Sequence, residues 1–197
     1  MKERPIIFNA EMVRAILDGR KTQTRRVVRH QPDEDGLARL SGGPWMDTSE
    51  KVYRCPYGEV GDRLWVREAF RVHSRATDVA TLVYRASERN SWTEQTRRVP
   101  VSACGKPVSP EKWTPSIHMP RWASRITLEI TAVRVERLAS ISNADAAKEG
   151  YPANPEPYGG QMDQWLWFRQ LWDGIYPDKS FKVNPWVWVI EFKRVEV

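Results

Sequence analysis

The sequence predicts an α+β fold, mostly β: a small mixed sheet that closes into a barrel, with short helices packed at its rim. Three observations lead there. Short runs of β-rich residues outnumber the helical ones, the helices with an apolar face are brief, and no regular alternation of strand and long helix marks a parallel α/β sheet.

The first run, Pro5 to Phe8, reads as a short strand. Asn9 caps a helix over residues 10–18: Glu11 suits the positive end of its dipole, and Met12, Val13, Ile16 and Leu17 recur at helical spacing. Gly19 ends it. Residues 31–50, rich in Gly, Pro and Asp, read as an exposed loop or insertion. A turn at Gly58–Asp62, capped by Asp62, leads into a strand from Arg63 to Glu68, and Ala80 to Tyr84 gives another. Five prolines break residues 86–120. Arg125 to Leu138 alternates most clearly, with a slip at Thr131-Ala132 that predicts a bulge. A short helix capped by Ser142 or Asn143 runs to Glu149 and stops at Gly150. After a Pro/Gly loop at 151–161, Met162 to Trp172 forms a second amphipathic helix with Trp165, Phe168, Leu171 and Trp172 on one face. Trp186 to Phe192 is the last strand.

A chain of 197 residues, 41% hydrophobic, is long enough for one domain with a real core. It has no run of eighteen apolar residues, so no membrane span is expected, and its charged N-terminus does not read as a secretory signal. With two cysteines, Cys55 and Cys104, neither a disulfide framework nor a Cys-built zinc site is expected; both read as small core residues in a reducing, cytoplasmic compartment. The net charge of +6 is compatible with phosphate-bearing partners. Ten tryptophans, interleaved with arginines, suit either base stacking or core filling, and for most of them we expect the core.

No Walker loop, Gly-x-Gly-x-x-Gly, His-Glu-x-x-His or Gly-x-Ser-x-Gly occurs. His30, His73 and His118 stand at unrelated spacings, so neither a metal site nor any other cofactor is implied. The informative segment is Asp18-Gly19-Arg20-Lys21-Thr22-Gln23-Thr24-Arg25-Arg26. Its cations can grip a phosphate chain. Alternatively Lys21 and Thr24 bring an amine and a hydroxyl together, which requires an irregular backbone, because positions 21 and 24 of a regular strand face opposite sides.

This segment resembles the ASCH domain family of the PUA-like superfamily, as do, in the same order, Val60 to Val66, the strand around Ile126 to Val135, the helix end Asp145 to Gly150, and Trp188 to Lys193. The resemblance implies a small β-barrel and a single domain over residues 1–197, with insertions at about 27–57, 69–124 and 151–161. One branch of the superfamily hydrolyses the linear amide of N4-acetylcytidine. That branch's catalytic Lys, Thr and Glu fall here on Lys21, Thr24 and Glu149. Amide hydrolysis needs a nucleophile, a base and a proton carrier. Thr24 attacks or orients water; either Lys21, if neutral, or Glu149 is the base, and a charged Lys21 stabilises the oxyanion.

Around that triad, Arg20, Arg25, Arg26, Trp65, Glu68, His118 and Arg121 are candidate substrate-binding residues. His118 and Arg121 lie in Trp113–Arg125, which reads either as a pocket wall or as a structural loop. Glu68 is either a second pocket carboxylate or, as we favour, an ion-pair partner of Arg63, Arg67 or Arg71. The expected partner is a modified nucleoside or RNA/DNA, with no obligate protein partner. Three functions follow: an amidohydrolase acting on N4-acetylcytidine or a related base, a non-catalytic RNA- or DNA-binding module, or a ribonuclease.

Overall fold

The last strand is the spine of the molecule. In the computed structural model, which describes residues 1–40, 43–87, 96–155 and 160–195, the elements run β1 (Glu3–Ile7), α1 (Ala10–Leu17), β2 (Gln23–Val27), β3 (Ala38–Arg39), β4 (Trp45–Met46), β5 (Val52–Tyr53), β6 (Arg63–Arg67), β7 (Phe70–Arg75), β8 (Val79–Tyr84), β9 (Thr96–Pro100), β10 (Thr127–Arg137), α2 (Asn143–Lys148), α3 (Asp163–Ile175) and β11 (Trp186–Val195). Trp92 lies outside the described residues.

Five strands form the main sheet in the order β1-β6-β10-β11-β2. The β1–β6 pair is parallel and the other three pairs are antiparallel. The expected slip in β10 is a register shift between Ile130 and Ala132. The mostly β, α+β class is therefore what the chain adopts. As for the barrel, β1 and β2 are the two ends of the hydrogen-bonding order, so the described sheet is open. The Arg26 side chain reaches across to Ile7, its Nη2 donating to the carbonyl at 2.8 Å.

The sheet's inner face and α1 enclose the first apolar core, which includes Ile6, Val13, Leu64, Val66, Leu128, Trp188 and Ile190. A second core, around Phe70, Leu82, Tyr84 and Met119, lies under a separate antiparallel sheet, β7-β8-β9. On the other side of β11, Val187 and Val189 join α2 and α3 in a third core with Phe168 and Trp172. Burial of both faces of β11 explains its nearly unbroken apolar run.

One expectation needs correction. Residues 31–50 are more than an irregular loop: with β5 they supply a small three-stranded sheet, β3-β4-β5. Most of the described tryptophans serve the cores, as expected: Trp172 and Trp188 are buried within them, and Trp45, Trp122, Trp165, Trp167 and Trp186 pack against them. Trp65 and Trp113 are half-buried outside these clusters, each with an arginine over its ring. Cys55 and Cys104 are free and buried, and burial pushes the Cys55 thiol up to about 11. Among the described residues no helix is long and apolar enough to cross a membrane.

Candidate functional site

The site is assembled where α1 ends. Asn9 accepts a hydrogen bond from Met12 N at 2.8 Å to start the helix, and Gly19, at φ +75°, turns the chain back so that Arg20 N and Lys21 N both donate to Ala15 O (2.8 and 2.9 Å). Lys21 then forms an isolated antiparallel bridge with Glu149, and Thr22 N donates to Lys148 O at 3.0 Å. Only at Gln23 does β2 begin, with Thr24 opposite Ile190 of β11. The irregular backbone that the Lys21–Thr24 spacing requires is thus residues 19–22.

Glu149 is delivered from the other side. Ser142 caps α2 by accepting from Asp145 N at 3.0 Å, the helix lasts six residues, and Glu149 is its C-terminal cap. Gly150 follows at φ +104°, where a Cβ would lie 3.0 Å from Ala15 Cβ and 3.3 Å from Lys21 Cβ. A Gly150→Ala variant is therefore expected to lose about 1–3 kcal/mol of stability from backbone strain, more if Lys21 is displaced; urea denaturation measures it.

The two groups meet in the interior. Lys21 Nζ donates to Glu149 Oε2 at 2.9 Å and to the Glu149 carbonyl at 2.7 Å, with its side chain fully buried. Arg25 Nη1 binds the other carboxylate oxygen at 2.9 Å. Arg25 also donates to Glu136 through Nη2 (2.6 Å) and Nε (3.1 Å). Arg134 in turn pairs with Glu136, Asp145 and Glu191. One carboxylate thus faces two buried cations, and a second layer of alternating charges holds the inner one. Burial lowers the Lys21 ammonium below the usual lysine range. Arg26 and Arg25 push the same way, and Glu149 opposes them.

Two adjoining cavities open on Glu149. The smaller, about 30 Å³, has Thr24, Arg25, Arg26 and Glu149 on one side and Phe168, Trp172 and Tyr176 on the other. It has room for about one water-sized group. The larger, about 270 Å³, is bordered by Asp18, Arg20, Glu149, Pro152 and Trp167. Met12 and Leu171 line both, so they stand at the junction. Arg20 is held by Asp18 (2.9 Å) and the Tyr151 carbonyl (2.7 Å). Arg26 lies over the Phe8 and Tyr57 rings.

The structure therefore brings together Lys21, Thr24, Glu149, Arg20, Arg25 and Arg26. The other four candidates are elsewhere. Trp65 is on β6, opposite Pro5 and Thr127, on the face away from the buried Leu64 and Val66. Arg121 is exposed and paired with Glu3, whose carboxyl it holds below the usual range. His118 lines a third cavity that shares no residue with these two.

Glu68 is ion-paired, but its partner is Arg125 (2.8 and 3.0 Å) rather than Arg63, Arg67 or Arg71. Those three extend from β6 and β7, whereas Arg125 comes from the turn before β10 and lies over the Tyr84 ring. Burial raises the Glu68 pKa despite this pairing. A raised carboxyl contributes stability that is full below the unfolded value, near 4.5, and is lost as pH rises through the folded value. Glu68→Gln should remove that decline, read as a flatter stability–pH curve just above pH 4.5.

Sequence reasoning missed the supporting layer of Glu136, Arg134 and Glu191. Its signal was present: Arg134 and Glu136 sit two apart on an otherwise alternating strand, hence on one face. It also missed Trp167, Met12 and Leu171 as lining residues. Among the described residues, no group of three or more His, Cys, Asp or Glu is placed to hold a metal ion.

The chain matches no family model, and no curated protein matches it. Among solved structures it is similar to the crystal structure of the ASCH domain from Lactobacillus crispatus JV V101, at 15% identity and a TM-score of 0.43, over 98% of this chain and 79% of that one.

Proposed function

We propose that this chain is an ASCH-type domain acting on a modified nucleoside, alone or within a nucleic acid, as an amidohydrolase that removes the acyl group from N4-acetylcytidine or a related base. The observation that carries the reading is the position of Glu149. Glu149 borders both cavities and shares the smaller one with Thr24, and its carboxylate is bound by Lys21 at 2.9 Å. The base and its acyl group occupy the larger cavity beside Trp167, with the acyl carbon at the junction between Met12 and Leu171, and the smaller cavity holds the attacking water.

There a water oriented by Thr24 attacks the acyl carbon while Glu149 takes its proton. The C–N bond breaks as the Lys21 ammonium gives a proton to N4, leaving the amine and a carboxylic acid. The proton on Glu149 returns to Lys21 across their hydrogen bond, which resets the pair. A lysine whose ammonium form is destabilised by burial is a better proton donor than an exposed one.

A purely phosphate-gripping role suits this place less, because Lys21 and Arg25 are buried and committed to carboxylates. Mass spectrometry of N4-acetylcytidine incubated with the protein tests the reading. Conversion to cytidine is expected, with Thr24→Val about 100-fold slower. If neither the nucleoside nor an oligonucleotide carrying it is deacylated, the reading fails.

A further inference from the structure

A third cavity, of about 310 Å³, lies in the second sheet's territory. It is an open groove between β7 and the segment after β9. That segment is pinned along the free edge of β7: Ser109 N donates to Val72 O at 3.0 Å, and Phe70 and Thr114 exchange both backbone bonds, at 3.2 and 2.8 Å. Ser109 Oγ accepts from Lys112 N at 3.0 Å to close the turn, and Pro107, Pro110 and Pro115 restrict the backbone around it. The walls are thus held in place without a ligand, which lowers the ordering cost of binding one.

The lining is chemically one-sided. Arg71, Lys106 and Lys112 bring three cations and His118 an imidazole, Ser109 and Thr114 bring hydroxyls, and among the described residues no carboxylate borders the cavity. Trp113 supplies a half-buried indole outside the three apolar cores. The Arg71 guanidinium lies 5.2 Å from its ring centroid. Arg71 donates through Nη1 to Ser109 O at 3.1 Å, yet its Nε is buried with no hydrogen-bond partner. Arg71 keeps that carbonyl as a partner, among the described residues neither Lys106 nor Lys112 forms an ion pair, and the three gather around open space beside an aromatic face. Cations alone would suit any anion, and an indole alone any flat apolar group. Their combination, in a volume at the lower end for small-ligand sites, suits a base and its phosphate.

We propose that this cavity is a second binding site, for one nucleotide unit, with its base stacked on Trp113 and its phosphate held by Arg71, Lys106 and Lys112. The site is independent of the chemistry at Glu149, since the cavities share no lining residue.

Fluorescence anisotropy with a labelled twelve-nucleotide single-stranded RNA tests this. Lys106→Ala/Lys112→Ala should weaken binding about 10-fold or more and reduce the slope of log K against log salt by about 0.7, the value for one phosphate contact. Trp113→Leu should weaken binding without changing that slope; unchanged thermal melting checks its fold. A charge-matched control on the exposed Lys51→Ala/Lys182→Ala should leave affinity within about 2-fold. Competition by unlabelled cytidine 5′-monophosphate marks a free nucleotide as the occupant. Loss of strand binding in the variants without such competition marks a unit of a strand; either result supports the site. Equal losses in the lysine variant and the control, or no loss in the lysine and Trp113 variants, overturn it.

Discussion

Glu149→Ala should be among the most destabilising single changes in this protein, lowering the unfolding free energy by about 3–5 kcal/mol. Among the described residues, the side chain is the sole carboxylate that Lys21 binds and one of two that Arg25 hydrogen-bonds. Removing it strands a fully buried ammonium and half-frees a fully buried guanidinium. In a domain of this size the change corresponds to roughly 6–20 °C in melting temperature, readable by calorimetry at pH 7. A loss below about 1 kcal/mol would mean that the interior relaxes to admit water.

Lys21→Met should behave in the opposite way. Methionine fills similar space and removes the charge whose burial is costly, while Glu149 keeps Arg25 as its partner. The fold should therefore be about as stable as before at pH 7. Turnover of the acylated nucleoside should fall about 1000-fold or more, because the group that carries the proton is gone.

The pH dependence separates the two consequences. Burial holds the folded-state pKa of Lys21 below its unfolded value of about 10.5. Between those two values the unfolded chain binds more protons, so stability contributed by this group rises with pH there; below the folded value the penalty is constant. The wild type should gain stability across that alkaline window relative to Lys21→Met, measured by urea denaturation at several pH values. Parallel curves for the two proteins would show that Lys21 is not under this strain.

Local signals in the sequence were read well where the cause was local. The Asn9 and Ser142 caps, the Gly19 turn and the bulge in β10 each depend on a few neighbouring residues, and each is found. The sheets β3-β4-β5 and β7-β9 were less legible. Two-residue strands are too short to alternate, and β7 and β9 carry arginines on their half-buried face, so their composition is not that of a core strand. Of the candidate site, the residues flanking Gly19 could be named because they are contiguous. That Lys21 meets Glu149 depends on a bridge across 128 positions, which no spacing rule conveys. His118 and Arg121 looked like part of the same pocket because cations and aromatics near prolines suggest a binding wall, but they do not specify which one. The second sheet's own core turns that segment toward β7.

The strand order also has a consequence for how the molecule is made. β2, which carries Thr24, finds its ladder partner only in β11, far along the chain. At ordinary rates of synthesis β2 waits roughly 10–30 s for that partner. Throughout that interval the nascent chain carries an unpaired edge beside a basic segment. Anchoring of Thr24 opposite Ile190 is thus tied to the synthesis of β11, and a ribosome stalled before Trp186 holds a chain that has every residue of its second core but lacks Val187 and Val189 of its third.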